Sequence, residues 1–225
     1  MIRFERLFVW LGGAMFVGSL ALCAWVFLVT FGRPASTSGA RPLLWDLLLF
    51  SAFASHHSLF ARERVKQWIA ATIPVELVRS VYVWIASILL ILVCMWWKPI
   101  GGKMYDLHGV GAVLLGATQL AGVWLSARAV AAIDPLELAG IRSSAGALQV
   151  GGPFRLVRHP LYLGWLMATL GAAHMTGDRL AFAIISSTYL FVAVPFEERS
   201  LVRSFGEDYT RYQQQVRWRI VPFIY

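Results

Sequence analysis

The chain has 225 residues, of which 58% are hydrophobic and only 14% charged, and its mean hydropathy is +0.64. A soluble domain of this size carries about 25% charged residues, so the composition excludes an ordinary soluble enzyme. The net charge of +8 does not indicate a nucleic-acid partner, because the basic residues lie between hydrophobic segments, as they do at the flanks of membrane spans. The composition therefore predicts an all-α, polytopic membrane helix bundle.

Apolar runs in the N-terminal half predict four spans, since about 20 apolar residues cross a bilayer. They cover residues 7–31, 43–60, 81–97 and 108–130. The first run is longer than the core of a signal peptide, so we interpret it as a retained span. Pro74 interrupts the polar segment between the second and third runs and is expected to end any continuous helix there.

The C-terminal part begins with a polar connection over 131–159 and continues with two shorter apolar segments, 160–175 and 180–196. Because each is short for an independent span, they predict a helical hairpin. The polar tail, 197–225, has apolar and aromatic residues at spacings of three and four, which predicts a helix lying on the membrane or on the protein. We thus expect about five to six spans, in an N-terminal bundle over 1–130 and a C-terminal region over 131–225.

The lysines and arginines are divided unequally between the two ends of the predicted spans. With six crossings, 15 of the 20 lie on the side of the two termini and 5 on the other. Because basic residues concentrate on the cytoplasmic side of membrane proteins, both termini are predicted to be cytoplasmic. The end of the second span and both ends of the hairpin then share that face.

The stretch that begins at Gly151 indicates a ligand site at the start of the hairpin. Arg155, Arg158 and His159 directly precede Pro160, and proline is typical of the first turn of a helix. The backbone N–H groups of that turn and the helix dipole favour an anion, and the basic side chains add further donors. An antiparallel hairpin would also return a carboxylate at 197 to the same level, which suits a zwitterionic ligand.

The motifs of the C-terminal part occur in a characteristic order. They are Arg158-His159-Pro160-x-Tyr162-x-Gly164, Glu197-Glu198-x-x-Leu201, Phe205-Gly206-x-x-Tyr209-x-x-Tyr212, and the terminal pair Val216 and Pro222. Together they resemble the integral membrane methyltransferases, a group that includes isoprenylcysteine carboxyl methyltransferases and phospholipid N-methyltransferases. Phe53-Ala54-x-His56-His57-Ser58, Arg79-Ser80-x-Tyr82-Val83 and Asp134-Pro135 look like the bacterial methanethiol S-methyltransferase branch, which neighbours the NnrU-like membrane proteins.

This resemblance implies an enzyme of the bacterial inner membrane that uses S-adenosyl-L-methionine, bound at the cytoplasmic face by the region 131–225. It also implies roles for individual positions. His159 and Tyr162 would contact the cofactor, and Glu197 would hold its amino or ribose end. Arg158 at the helix start would suit the cofactor's carboxylate. Backbone groups of Ala147, Leu148 and Gln149 would bind the adenine, and Phe154 holds a position that is usually aromatic in this family. No glycine fingerprint of a soluble dinucleotide-binding fold is present.

One departure from the family pattern bears on the methyl acceptor. In the isoprenylcysteine enzymes an arginine four residues before the cofactor-binding glutamate faces the substrate carboxylate, whereas this chain has Ala193 there. Ala193 therefore argues against a prenylcysteine carboxylate, and the resemblance to the methanethiol S-methyltransferase branch implies a small thiol such as methanethiol, which would give dimethyl sulfide. The alternatives are a phospholipid amine, a prenylcysteine carboxylate, or a non-catalytic NnrU-like protein that binds haem or metal. The acceptor and the oligomeric state are not determined by the sequence.

A thiol acceptor must react as the thiolate, so a base or a stabilising group is needed. His57 is the candidate for this role, with His56 second, because both lie near the cytoplasmic end of the second predicted span. Arg158 is a third catalytic candidate, because a neighbouring cation could stabilise the thiolate. The alternative interpretation is a pair of interfacial or helix-capping histidines. Adjacent positions on a helix point about 100° apart, so the two side chains cannot bind one metal together, and no metal site is predicted.

Overall fold

The computed structural model describes residues 3–35, 40–60, 63–142 and 147–225. Its first helices along the chain are α1 (Arg3–Trp25, continued by a π-helical turn, Val26–Thr30), α2 (Ala40–Phe60), α3 (Glu63–Ala70) and α4 (Val75–Trp96). After strand β1 (Lys103–Asp106) come α5 (Gly109–Ile133), α6 (Pro135–Leu138), a 3₁₀ turn (Gly152–Arg155) and α7 (Pro160–Leu170). Strand β2 (His174–Thr176), α8 (Gly177–Phe205) and α9 (Glu207–Gln215) complete the chain.

The expected all-α membrane protein is confirmed. Among the described residues, five helices are long and apolar enough to cross a membrane, namely α1 with its π turn, α2, α4, α5 and α8. Helix α7 has 11 residues and is therefore about 16 Å long, roughly half the thickness of the hydrocarbon core. The first arm of the predicted hairpin is thus too short to span the bilayer by itself.

The second arm of the hairpin is longer than predicted, and the boundary of the tail helix was wrong. Helix α8 continues through Pro195 and past the end of the apolar run to Phe205, so residues 197–205 belong to it. The loss of apolar residues ends a membrane-buried segment but does not end a helix. The helix stops where Gly206 adopts a φ of +56°, and residues after Gln215 are not helical.

The third span also begins before the predicted residue 81, because polar side chains near its start are satisfied inside the protein. The guanidinium Nε of Arg79 donates to the carbonyl of Glu137 at 2.7 Å. Ser80 is buried, and its hydroxyl donates to the carbonyl of Gly140 at 2.9 Å. These contacts allow α4 to start at Val75 although its first turns are not apolar.

The chain forms two compact units. The first comprises Met1–Gly102 with Pro135–Ala145, and the second comprises Lys103–Asp134 with Gly146–Tyr225. The predicted boundary at residue 130, between an N-terminal bundle and a cofactor-binding region, remains a prediction. The two compact units do not coincide with it, because α5 packs against α7 and so belongs to the second unit. The second unit also contains a short antiparallel pairing of β1 with β2, which the sequence pattern did not indicate.

Glycines bring α5 and α7 into close backbone contact in the second unit. A Cβ atom added to Gly122 would lie 2.6 Å from the carbonyl oxygen of Gly164 and 2.6 Å from the backbone nitrogen of Ala168. Small residues allow this kind of approach between membrane helices. The contact helps to position α7, whose first turn carries the predicted ligand-binding residues.

Replacing Gly122 by alanine should therefore destabilise the second unit. We expect Gly122→Ala to lower the free energy of unfolding by about 1 to 3 kcal/mol, because the added methyl group overpacks the helix contact. Gly116→Ala is a matched control on the same helix, since an added Cβ there meets no atom within 4 Å. Unfolding of the purified proteins in detergent measures both changes, and equal stability of the two variants would contradict the prediction.

Candidate functional site

The loop before α7 is held by the C-terminal segment through backbone hydrogen bonds. The N–H of Arg158 donates to the carbonyl of Trp218 at 2.9 Å, and the N–H of His159 donates to the carbonyl of Arg219 at 2.8 Å. Helix α7 then begins at Pro160, as the sequence predicts. The tail thus aligns the residues that enter the first turn of α7.

A buried carboxylate lies at the centre of these contacts. Glu198 is only 4% exposed, and its Oε1 atom lies 2.6 Å from Nε of Arg158, which is also buried. Its Oε2 atom lies 3.1 Å from Nε of Arg219. Nη1 of Arg158 additionally donates to the carbonyls of Val216 and Arg217, at 2.7 and 2.8 Å. Glu198 therefore joins α8, the loop before α7 and the C-terminal segment.

The neighbouring glutamate has a different environment. The side chain of Glu197 is 41% exposed, and its Oε2 atom accepts a hydrogen bond of 2.6 Å from the hydroxyl of Tyr162. The ring of Tyr162 stacks on that of His159, with centroids 5.3 Å apart, and Nδ1 of His159 lies 3.8 Å from Glu197 Oε2. The structure thus brings together the three residues that the hairpin argument and the resemblance had predicted to share a site.

Phe154 lies in an aromatic cluster of the second unit. It packs with Tyr209 and Tyr212, and the hydroxyl of Tyr212 donates to the Phe154 carbonyl at 2.7 Å. Burial raises the pKa of Tyr212 well above its ordinary value, so the phenol stays protonated and serves as a donor. Leu148 packs against the edge of this cluster. Phe154 and Leu148 thus anchor the segment before α7 to the aromatic residues of α9.

The remaining predicted residues of the loop are open to solvent. Ala147 and Gln149 are exposed and lie in an irregular segment. Among the described residues, no backbone hydrogen bond satisfies the N–H and C=O groups of 147–149.

The two predicted histidines belong to the first unit, where they contact Tyr82 of α4. The Tyr82 hydroxyl lies 2.5 Å from Nδ1 of His57. The ring of His56 stacks on that of Tyr82, with centroids 5.6 Å apart, and its Nε2 lies 3.4 Å from the Tyr82 carbonyl oxygen. The described residues contain no group of three or more histidine, cysteine or acidic side chains that could hold a metal ion.

Sequence reasoning assigned the first glutamate of the pair and missed the role of the second. One signal could have identified Glu198: it lies four residues after Val194 and so continues the buried face of α8. A carboxylate on a buried face needs a cationic partner, and Arg158 is one. The sequence argument also took Arg158 as a ligand of the cofactor, whereas three of its contacts are to Glu198 and the C-terminal segment.

Comparison with known proteins defines the class. The Phospholipid methyltransferase family model matches residues 110–208. The chain is 34% identical over 198 residues to methanethiol S-methyltransferase 2 of Bradyrhizobium diazoefficiens, covering 84% of this chain and 76% of the relative. It is 35% identical over 185 residues to the methanethiol S-methyltransferase of Pseudomonas deceptionensis, covering 77% and 71%. It is 30% identical over 184 residues to nurim of Bos taurus, covering 71% and 68%. No solved structure matches the chain significantly.

The chain therefore belongs to the integral membrane methyltransferases. It is a multi-pass membrane enzyme that transfers methyl groups. The family membership therefore supports an enzyme over the alternative of a non-catalytic, NnrU-like protein that binds haem or metal.

Removing the charge of Glu198 should destabilise the second unit. Glu198→Gln leaves Arg158 and Arg219 without their counter-charge, and breaking a buried ion pair costs about 3 to 5 kcal/mol. Glu207→Gln, an exposed change in the first turn of α9, should cost less than about 1 kcal/mol. Unfolding in detergent measures both, and a small effect of Glu198→Gln would show that the ion pair does not hold the tail.

Proposed function

We propose that this enzyme methylates a small thiol such as methanethiol, with S-adenosyl-L-methionine as methyl donor, at the cytoplasmic face of the bacterial inner membrane. The observation that carries the proposal is the partly exposed Glu197 carboxylate, held by Tyr162 beside His159 at the start of α7. The acceptor follows from the names of the relatives: those from Bradyrhizobium and Pseudomonas are methanethiol S-methyltransferases.

The donor set in the second unit fits the amino-acid end of the cofactor. Among the described residues, Oε1 of Glu197 makes no hydrogen bond, so it can accept one from an ammonium group. Nε2 of His159 is buried and lies 3.5 Å from Oε1 of Glu198, so this ring also faces the buried carboxylate. The first turn of α7 presents the positive end of its helix dipole, which favours a carboxylate. When bound, S-adenosyl-L-methionine would supply a methyl group already activated on a sulfonium sulfur.

Different residues would bind the cofactor and position the binding residues. Glu197, His159 and Tyr162 would bind the cofactor, and the backbone of 147–149 would receive its adenine beside Leu148 and Phe154. Arg158 acts as a positioning residue, since its guanidinium ties the loop to Glu198 and the tail. Because binding fixes the direction of the donor, alignment of the acceptor and exclusion of water would account for much of the rate.

Ala193 supports a neutral acceptor. It lies one helical turn before Glu197 on α8 and offers no cation to a substrate carboxylate. A prenylcysteine carboxylate is therefore a poor candidate. A phospholipid amine remains the second candidate, because the matching family model is that of the phospholipid methyltransferases.

Cofactor binding can be measured with the product analogue S-adenosylhomocysteine. We expect the purified protein to bind it in calorimetry, and Glu197→Gln to weaken binding about 10- to 100-fold, because a charge-assisted hydrogen bond is lost. The exposed Glu207→Gln variant should bind like the wild type. Failure of the wild-type protein to bind would contradict the proposed cofactor.

The acceptor can be determined by product analysis. Cells that express the protein should release dimethyl sulfide into the headspace when they are fed methanethiol, and cells that carry the Glu197→Gln variant should release much less. Labelled methyl groups should not appear in extracted phospholipids. Methylated phosphatidylethanolamine without dimethyl sulfide would instead establish the phospholipid alternative.

We further propose His57 as the base or thiolate-stabilising group, with His56 as the second candidate. Its ring is oriented by the hydroxyl of Tyr82, which is the kind of contact that fixes a tautomer. His57→Ala should lower methylation about 100-fold at neutral pH, the usual size of a general-base effect. The deficit should narrow at high pH, where the thiol ionises unaided. His108→Ala is the control, and undiminished methylation by His57→Ala would remove His57 from the mechanism.

A further inference from the structure

One face of α8 is exposed along its length and changes character towards its C-terminal end. Ile184, Val192 and Phe196 are large apolar side chains that are all more than half exposed. Arg199 and Arg203 are the next exposed positions on the same face, at spacings of three and four. An apolar stripe on a membrane-spanning helix thus leads directly to two arginines.

A cavity of about 450 Å³ lies beside these arginines, within the second unit. Its wall includes Arg199, Arg203 and Arg219, which we call the arginine cleft, together with Pro195 and Val202. The lining contains one carboxylate, Glu198, so three arginines stand against one glutamate and the formal excess is two positive charges. Glu198 pairs with Arg219 through Oε2 and with Arg158, which does not line the cavity, through Oε1.

Two arginines of the cleft have no counter-charge in the described part of the protein. Neither Arg199 nor Arg203 forms an ion pair there, whereas the exposed Arg211 pairs with Asp208 at 3.6 Å. The guanidinium carbon of Arg199 lies 5.6 Å from the centroid of the Phe196 ring. This cation–π contact holds the charge at the level of the last apolar residue of the stripe.

Arg199 and Arg203 lie on a different side of α8 from Glu197, although Glu198, which also lines the cleft, lies 3.5 Å from Nε2 of His159. Successive residues of a helix point about 100° apart, so Arg199 and Glu197 project about 200° apart around the axis. Glu197 contacts Tyr162 and His159, while Arg199 and Arg203 line the cavity. A ligand of the cleft therefore need not be the cofactor.

We propose that the arginine cleft binds the phosphate of an anionic phospholipid of the surrounding membrane. Guanidinium groups match the oxygens of a phosphate and carry the charge it requires. The stripe of Ile184, Val192 and Phe196 would take the acyl chain, because it is continuous with the cleft. Basic pockets at the cytoplasmic ends of membrane helices suit lipid head groups. A free phosphate would use the same arginines but would not need the stripe.

The test is lipid retention by the purified, full-length protein in native mass spectrometry. The delipidated protein is titrated with phosphatidylglycerol, with the neutral phosphatidylcholine, and with glycerol 3-phosphate as the soluble phosphate. We expect one phosphatidylglycerol to bind in preference to both others. Arg203→Gln should weaken phosphatidylglycerol binding about fivefold, because one arginine's attraction to the lipid phosphate is lost. Arg199→Gln/Arg203→Gln should weaken it about 30-fold, because two such attractions are lost. Phe196→Ala should weaken lipid binding only.

Arg211→Gln is the matched control, since it removes an exposed arginine outside the cavity. It should retain phosphatidylglycerol like the wild type. The unfolding midpoint of each variant in lipid-free detergent should be unchanged, which excludes loss of the fold as the cause. Equal retention by the double variant and the wild type would overturn the proposal. So would binding of phosphatidylcholine to the same extent, or equally tight binding of glycerol 3-phosphate, which would make the ligand a soluble phosphate.

Discussion

The buried ion pair between Glu198 and Arg158 is the interaction on which the second unit depends. A carboxylate that is 4% exposed can remain charged only if cations and donors replace its water. Arg158 and Arg219 supply the cations, and the hydroxyl of Tyr209 lies 3.5 Å from its Oε1 atom. These partners come from the loop, the tail and α9, so one carboxylate orders three separate pieces of chain.

This arrangement explains why the first turn of α7 is well defined although the loop before it is irregular. Arg158 is held by Glu198 on one side and by the carbonyls of Val216 and Arg217 on the other. The next residue, His159, is then placed against Tyr162, and Tyr162 against Glu197. The residues proposed to bind the cofactor are thus positioned by a buried network that the ligand need not touch, which is how precise sites are generally supported.

Three consecutive residues of α8 have three different roles, because each points about 100° away from the one before. Glu197 faces Tyr162 and the candidate cofactor site. Glu198 is buried between Arg158 and Arg219, and Arg199 is exposed on the side of the cavity that it lines with Arg203. This arrangement is possible because α8 stays helical past the end of its apolar segment, through Phe205.

The sequence by itself determined the class of fold and the approximate position of the candidate site, and it limited the spans to about five or six. Apolar runs such as 108–130 are long enough to require a helix in lipid, since every backbone polar group must be paired there. Pro160 marked the start of α7 correctly for a local steric reason. The pairing of His159 with Glu197 also followed from the hairpin, because antiparallel arms return to one level.

Only the tertiary structure decided which glutamate is buried and what Arg158 contacts. The spacing of four from Val194 favours Glu198 as the buried glutamate but names no partner for it. Its partners are set by the C-terminal segment, which folds against the loop through Trp218 and Arg219. The early start of α4 likewise depends on Glu137 and Gly140, far along the chain from Arg79 and Ser80. A hydrophobic pattern predicts which side chains are buried from neighbouring residues alone. The partner of a buried charge is not predicted in this way, because it comes from a segment that is distant in the sequence.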